Sequence, residues 1–489
     1  MSNSVCIIGA GIGGLTAGAY LANAGFDVTI VEKATTVGGS AGWYVRKGRR
    51  FPTGATIAFG LEDEGILRKM LNELKIKLPA DELLHPMDVI LRDRKVSIYK
   101  DAKQWETELS QSFPENKEAV IKFWNELHKV SKSVLEVTNS GVSLPIRRVY
   151  DLGKLPRYMF QNPASILRLV RYATWTVEDF MRKFDLDSYE PLKELLNAQL
   201  LDAVQIDVSK AAFLPSCVAL SIYRNGSFSL EGGLGQLCMA LADKIEELGG
   251  KVLLGSPIQR IQYDEQKKEW RVESKKCSES FSYLINNSGI SFGRGTSYAE
   301  TGEFSWGAFR VDAILSVGIK HVTLKNQTLP FAYQIVPKQM NEEHSTHGPI
   351  YVTFHDTKDT HGKAVSQEVT MTISVHTDAD IWDSYSKEEY KLAKEQLMNF
   401  IIDEVERIIP VKKYLLYTEA GSPRTYQKFI GKKGVGGFPL TVKNAILNPK
   451  GVRSRLPRFY IVGEQVFPGP GTLSSSLSGY YAARAIIKE

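Results

Sequence analysis

Cysteine is scarce in this chain of 489 residues: there are four, Cys6, Cys217, Cys238 and Cys277, and none stands in a C-x₂-C or C-x₄-C pair. That scatter excludes a zinc ribbon, a redox dithiol and a disulfide framework, and it suits a reducing compartment. The eight histidines are isolated except for His344 and His347, which form no H-E-x-x-H, so no metal is expected. No run of about 18 apolar residues occurs, which excludes a membrane-spanning helix. Neither sign of charge dominates: 61 Lys and Arg against 55 Asp and Glu leave a net +6. No nucleic-acid module accompanies that mild excess, so nucleic acid is not an expected partner. The chain has no internal repeat, no low-complexity stretch and no second G-x-G-x-x-G in its middle, hence no separate nicotinamide domain.

What it does have lies at both ends. Val5-Cys6-Ile7-Ile8 is an apolar run that empties into Gly9-Ala10-Gly11-Ile12-Gly13-Gly14. Here Gly9 serves a tight turn, Gly11 the approach of backbone to a pyrophosphate, and Gly14 the packing of helix on strand. The helix that follows aims its free N–H groups and positive dipole end at the phosphates. Asp27-Val28-Thr29-Ile30-Val31 is a second strand, closed by Glu32, which lies 23 positions after Gly9. That is close to the roughly 20-residue offset of a ribose-hydroxyl acceptor, and a carboxylate there repels a 2′-phosphate. Because the nucleotide-binding strand begins at once, no signal peptide is expected. At the other end, Phe459-Tyr460-Ile461-Val462 runs into Gly463-Glu464, then Phe467-Pro468-Gly469-Pro470-Gly471-Thr472 and a helical pattern predicted over Thr472 to Ile487, with Leu473, Leu477 and Tyr481 on its packed face. A glycine turn at one end and a strand–Gly–acid–helix at the other is the layout of a protein wrapped around an extended dinucleotide.

With Glu32-Lys33, Gly38-Gly39 and Phe51-Pro52-Thr53-Gly54-Ala55-Thr56 in view, the chain resembles the flavoprotein amine-oxidase superfamily. Within it the likeness is to bacterial-type phytoene desaturases, carotenoid cis–trans isomerases and retinol saturases. The resemblance implies non-covalent FAD, with Glu32, Lys33, Gly38, Gly39 and Ser40 beside the ribose and pyrophosphate and Gly54, Ala55 and Thr56 near the flavin ring. It extends the cofactor set to Ile258, Gly463, Glu464, Gly471, Thr472 and Leu473, beside Gly9, Ala10, Gly11, Ile12, Gly13 and Gly14. Glu464 has two compatible roles, contact with the ribityl or pyrophosphate region and capping of the last helix. Two departures stand out: Ser40 replaces the family's usual Arg, removing a phosphate or ribityl contact, and Pro52 replaces a frequent Asp. Leu230-Glu231-Gly232-Gly233 resembles the family's K-G-G element with an acid in place of the base, and Gly421 to Tyr426 resembles the isomerase and saturase branch. Without a cysteine after Cys277, a cysteinyl-flavin bond near Gly463-Glu464 is excluded.

The fold expected is α/β: a Rossmann-like FAD-binding domain with an interleaved α+β substrate domain and a helical, membrane-associated subdomain. The flavin segments fall at 1–80, 226–295 and 421–489, a helical substrate segment at 81–225, and a substrate sheet and helix at 296–420. A hairpin is predicted at Val89–Arg92 and Lys95–Tyr99, a helix through Val120, Trp124, Leu127, Val130 and Val134, antiparallel strands at Ala313–Ile319, Ile350–Phe354 and Val369–Val375, and a helix through Leu397, Ile401, Val405 and Ile408. Between 146 and 175, Arg147, Arg148, Lys154, Arg157, Arg168 and Arg171 face the single acid Asp151, interleaved with Tyr150, Tyr158, Phe160 and Trp175. Two readings of that stretch stand level: an anionic membrane interface and a solvated basic face over core aromatics.

The resemblance implies an FAD-dependent oxidoreductase acting on a long apolar polyene, with hydride passing between substrate and flavin N5. Two alternatives share the motifs, an amine or amino-acid oxidase and a prenyl-lipid carrier without flavin. No catalytic base is legible, and Asp202 is the one residue named as a guess. The expected setting is cytoplasmic, peripheral on the inner face of a membrane.

Overall fold

The computed structural model describes residues 3–291, 299–300, 306–324 and 327–489. The expected division at 295/296 lies outside them.

The valine- and isoleucine-rich runs form a parallel five-stranded sheet in the order Lys251–Leu253, Asp27–Val31, Ser4–Ile8, Tyr283–Asn286, Phe459–Ile461. Such runs are apolar at every position because both faces are covered. Side chains alternate between faces along a strand. Val5, Ile7, Val28, Ile30 and Ile285 accordingly pack with the helices Ile12–Asn23, Gly235–Glu247 and Thr472–Ile487. Cys6, Ile8, Val31, Leu284 and Phe459 pack beneath an antiparallel meander of Ile258–Asp264, Glu269–Ser274 and Ser278–Phe281. The helix Ile12–Asn23 is the hub of the helical layer. A Cβ on Gly14 would sit 2.5 Å from the Gly9 carbonyl oxygen, and one on Gly479 would sit 2.1 Å from that of Gly13. Only glycine allows contacts that close.

A second sheet of seven strands runs Leu415–Gly421, Gly307–Ser316, Ala364–Thr377, Thr346–Lys358, Ala332–Ile335, Met87–Ile90, Lys95–Ile98. It is antiparallel except where Ala332–Ile335 pairs with Met87–Ile90. One face is apolar: Phe309, Val311, Ala313, Ile350, Met371 and Ile373 pack under the helix Lys387–Glu406 through Leu397, Ile401 and Val405. The other face carries Arg310, Asp312, Gln334, Tyr351, Thr372 and His376 and lines a cavity. Helices between Ala102 and Asn225 close that cavity from the far side over a separate core containing Val120, Phe123, Leu127, Phe180 and Phe213.

The predicted hairpin is present and joins the seven-stranded sheet. Its strands are Met87–Ile90 and Lys95–Ile98, and those predicted at Ile350–Phe354 and Val369–Val375 extend to Thr346–Lys358 and Ala364–Thr377; two further elements stop short. The strand over Ala313–Ile319 stops at Ser316, where Val317–His321 turns as a 3₁₀ helix. The helix through Ile408 ends at Glu406, because Pro410 disfavours helical backbone at the residue before it. The hairpin Trp43–Arg46 with Arg49–Pro52, and the small sheet of Ala58–Phe59, Ser227–Leu230 and Ala80–Glu82, carry too few residues to show a period and are not in the sequence reading. No helix among the described residues is long and apolar enough to cross a membrane, and among them no cluster of three or more His, Cys, Asp or Glu could hold a metal.

Candidate functional site

A single cavity of about 1780 Å³ runs from the glycine turn of the parallel sheet to the polar face of the seven-stranded sheet and into the helical layer. Of the residues singled out in the sequence, Gly9, Gly11, Ile12, Gly13, Glu32, Lys33, Gly38, Gly39, Ser40, Gly54, Ala55, Thr56, Ile258, Gly463, Glu464, Gly471, Thr472 and Leu473 line it. Ala10 and Gly14 stand behind it: Ala10 is fully buried, and Gly14 is pressed against Gly9.

At the sheet end the lining is backbone and short polar side chains. Gly9 takes a φ of +95°, as the tight turn requires. Gly11 precedes the helix Ile12–Asn23 with no side chain capping it, so the first N–H groups of that helix are left for something else. The helix Thr472–Ile487 begins the same way behind Gly471. Glu32 accepts the Ala10 N–H at 2.6 Å on one carboxylate oxygen and the Ala34 N–H at 2.7 Å on the other. A carboxylate has about four acceptor sites, so capacity remains for hydroxyl donors. The Gly38 N–H donates to the Ala10 carbonyl at 2.8 Å, which draws the Gly38-Gly39 loop against the glycine turn.

Glu464 does not cap the last helix, contrary to one of its two expected roles. Its carboxylate pairs with Lys432, and Gly471 occupies the cap position. Asn287 has no site role in the sequence reading, where it is only the polar end of a buried strand. Its side-chain amide donates to the Gly9 carbonyl at 3.2 Å, and Gly9, Gly11, Gly13, Gly14 and Gly463 all crowd around it. The signal was the polar ending of the apolar strand Tyr283–Asn286.

Past the loop Gly54-Ala55-Thr56, the cavity meets a buried charged cluster. The Arg310 guanidinium donates to Asp312 at 2.8 Å and to the Thr53 carbonyl at 2.7 Å; Tyr44 donates to Asp312, and Tyr426 to the Thr53 carbonyl at 3.2 Å. Burial works against the Arg310 charge, and Asp312, Tyr426 and Tyr44 together outweigh it, holding the guanidinium above its ordinary value. The alternation Arg310-Val311-Asp312-Ala313 within an apolar strand announces these two as inward-facing on the cavity side. His376 also lines the cavity, and burial pushes its imidazole down to about 4, so it is neutral at physiological pH.

The far arm is apolar. Val134 and Leu135 of the helix Lys117–Asn139, then Val142, Leu144, Ile146, Leu155, Leu169, Leu214, Val218 and Ile222 line it. Asp202, at the end of the helix Glu190–Ala203, lines the cavity beside Tyr223 and Tyr351. The helices Leu155–Gln161 and Pro163–Tyr172 that carry Leu155 and Leu169 turn Phe160 (90% exposed), Leu167 and Val170 outward, among the exposed Arg147, Arg148, Lys154, Arg157 and Arg171. Asp151, the segment's single acid, is buried and turned inward, accepting the N–H groups of Arg147 and Arg148 and pairing with Arg453 at 3.2 Å.

Comparison with known proteins agrees with this architecture. Residues 7–74 match the NAD(P)-binding Rossmann-like domain family. The chloroplastic prolycopene isomerase of Daucus carota is 23% identical over 502 residues, covering 98% of this chain and 79% of that protein. The all-trans-retinol 13,14-reductase of Danio rerio is 22% identical over 466 residues, covering 87% and 75%. Among solved structures, wild-type putrescine oxidase bound to putrescine superposes with a TM-score of 0.60 at 14% identity, over 100% of this chain and 99% of that one. The fold is a mixed α/β fold with a Rossmann-like dinucleotide-binding domain, similar to flavoprotein amine-oxidase structures.

Proposed function

We propose that this protein is an FAD-dependent oxidoreductase that alters the number or geometry of the double bonds of a long apolar polyene. The observation that carries the reading is continuity: one cavity is lined by a glycine cradle at one end and by an apolar arm at the other. Its similarity to prolycopene isomerases and retinol reductases supports the same substrate class. The cradle fits non-covalent FAD. Two uncapped helix N-termini, Ile12–Asn23 and Thr472–Ile487, offer N–H groups and positive dipole ends to anionic phosphates. Glu32 keeps acceptor capacity for ribose hydroxyls, and Gly38, Gly39, Ser40, Gly54, Ala55, Thr56, Ile258, Gly463 and Glu464 complete the wall. Bound there, the flavin supplies exchange of hydride or electrons with the substrate. In this reading 1–80, 226–295 and 421–489 hold the cofactor, and 81–225 with 296–420 hold the substrate.

The chain's own work is to bind, dry and orient. A hydrocarbon gains about 25 cal/mol for each Å² removed from water, so the arm between Val134 and Ile222 holds a polyene without a charged anchor. The outward face of 146–175 supplies the route. Phe160, Leu167 and Val170 enter the acyl boundary of a bilayer, the surrounding arginines meet anionic headgroups, and Leu155 and Leu169 on the same helices lead into the cavity. The attachment proposed is peripheral, on the cytoplasmic face.

The test is to supply the purified, flavin-loaded protein with acyclic carotenoids embedded in liposomes. The expected result is a flavin-dependent change in double-bond number or geometry, read by chromatography. Unchanged polyene together with rapid peroxide release from a primary amine favours an amine oxidase. Colourless protein that co-purifies with prenyl lipid favours a carrier.

A further inference from the structure

Five carboxylates of the cavity wall differ in one respect. Glu32 is held by two N–H groups, Asp312 by Arg310 and Tyr44, Glu419 by Arg46 and Tyr417, and Glu464 by Lys432. Asp202 stands apart: among the described residues its carboxylate makes no hydrogen bond and no ion pair, and only its backbone carbonyl is used, by the Gln205 side chain at 2.6 Å. Asp202 is exposed, and it lines the cavity. Tyr223 and Tyr351 stand close enough to feel its charge, and Val218, Ala219 and Ile222 line the same cavity. Tyr351 spends its hydroxyl proton on the Ala198 carbonyl at 3.2 Å. Among the described residues no charged partner offsets the loss of water around the Asp202 carboxyl inside the cavity, which pushes it up to about 6. Both phenols feel its charge and are themselves pushed up by burial, so they stay neutral. His376 and the Arg310–Asp312 pair line the same cavity, the first neutral and the second internally compensated. Asp202 thus faces the cavity with no protein partner among the described residues, and a carboxyl with a raised pKa set in a cleft marks a site of chemistry.

We propose that Asp202 is the proton donor and acceptor for the carbon skeleton of the substrate. The inference rests on the polyene reading above and concerns only its change of double-bond geometry, apart from the hydride exchange that a change of double-bond number needs. In its acid form the carboxyl gives its proton to an sp² carbon of the polyene. The π pair of that double bond becomes the new C–H bond, and the positive charge left on the adjacent carbon spreads along the conjugated chain. Bonds within that delocalised segment lose double-bond character and rotate. The Asp202 carboxylate, now opposite a cation, takes a proton back from the same carbon, and the C–H pair re-forms the double bond in its new geometry. No electron is gained or lost overall. Because the carboxyl titrates near the working pH, both halves of the exchange run on one group.

The experiment is isomerisation of liposome-embedded acyclic carotenoid in deuterated water, with Asp202→Asn beside wild type. Wild type is expected to return isomerised carotenoid carrying deuterium, with a rate that declines as pH rises through about 6. D202N should keep its flavin absorbance and its carotenoid binding, and lose deuterium exchange and isomerisation by about 10²–10⁴-fold. Its thermal midpoint above pH 6 should equal or exceed that of wild type, since the substitution removes a charge with no partner. Asp202→Glu should restore part of the exchange. Isomerisation by wild type without deuterium uptake, or at an undiminished rate in D202N, overturns the role of Asp202 and leaves the polyene reading standing. A D202N protein that melts well below wild type assigns Asp202 a structural part and overturns the proposal. Polyene unchanged by wild type sinks both.

Discussion

Asp151 illustrates how much one carboxylate settles. One oxygen accepts the N–H groups of Arg147 at 2.9 Å and Arg148 at 2.8 Å, the other accepts the Ser143 hydroxyl at 3.2 Å, and Arg453 reaches both. Burial alone would raise this carboxyl; the two N–H groups and the guanidinium outweigh it and hold it below the ordinary 3.8. A depressed carboxyl stabilises the fold above its unfolded value and loses that contribution as pH falls through the lower folded one. Replacing Asp151 with Ala leaves Arg453 and two N–H groups unpaired, an expected loss of about 3–5 kcal/mol near neutrality. Urea unfolding at neutral pH and again below 3.8 should show the gap between variant and wild type narrowing in acid. A gap that is constant with pH would mean the carboxylate charge is not what matters. Gly11 shows the limit of sequence reasoning at this scale. The G-x-G-x-x-G spacing marks it as a place where bulk is forbidden, but the neighbour a Cβ would strike, at 2.7 Å, is the amide nitrogen of Asn287, a residue 276 positions away. Spacing reports that a site is tight and not what makes it so.

Elements meet most closely where the helices Ile12–Asn23 and Thr472–Ile487 cross. Gly479 rests on the Gly13 carbonyl, and the same contact brings the uncapped end of the second helix to the cavity wall. Gly479→Val puts side-chain atoms where that carbonyl lies, and overpacking of this kind costs about 1–3 kcal/mol. Its expected signature is twofold: a lower melting temperature of the flavin-stripped protein, and less flavin absorbance per protein. Unchanged flavin retention would show that the second helix is not needed to shape the cradle. The bounds of this helix, Thr472–Ile487, were legible because glycine precedes it and an apolar face runs through Leu477 and Tyr481. The pairing of Ala332–Ile335 with Met87–Ile90 was not legible, since nothing local in either four-residue strand names a partner some 245 positions off.

For the whole molecule, charge is distributed unevenly. The net +6 is a small remainder, yet Arg147, Arg148, Lys154, Arg157 and Arg171 are all exposed on the side where Val149, Phe160, Leu167 and Val170 also protrude. At roughly 1 kcal/mol per basic residue near an anionic surface, reversing Arg147, Arg148 and Arg157 to Glu should release the protein from anionic vesicles at low salt. Sedimentation with vesicles, repeated with neutral lipid and with added salt, checks it. Equal sedimentation of variant and wild type would leave the patch a solvated face. Sequence patterning found the basic run but left its meaning level between two readings. The exposed apolar side chains tilt it, and exposure is a property of packing that composition does not carry.

The order in which the parallel sheet is assembled has a consequence for how the protein is made. Its central strand, Ser4–Ile8, is translated well before its neighbour Tyr283–Asn286, and the edge strand Phe459–Ile461 comes later still. Until then Ile285 and Tyr460, core neighbours in the finished sheet, cannot meet, and the helix that carries Gly479 has not been translated. Domains form as soon as their chain is available, but here the sheet is complete only once Phe459–Ile461 has been made. A growing polypeptide must therefore hold its Rossmann-like domain open while the residues between Ser4–Ile8 and Phe459–Ile461 are made, and the cradle is complete only after them.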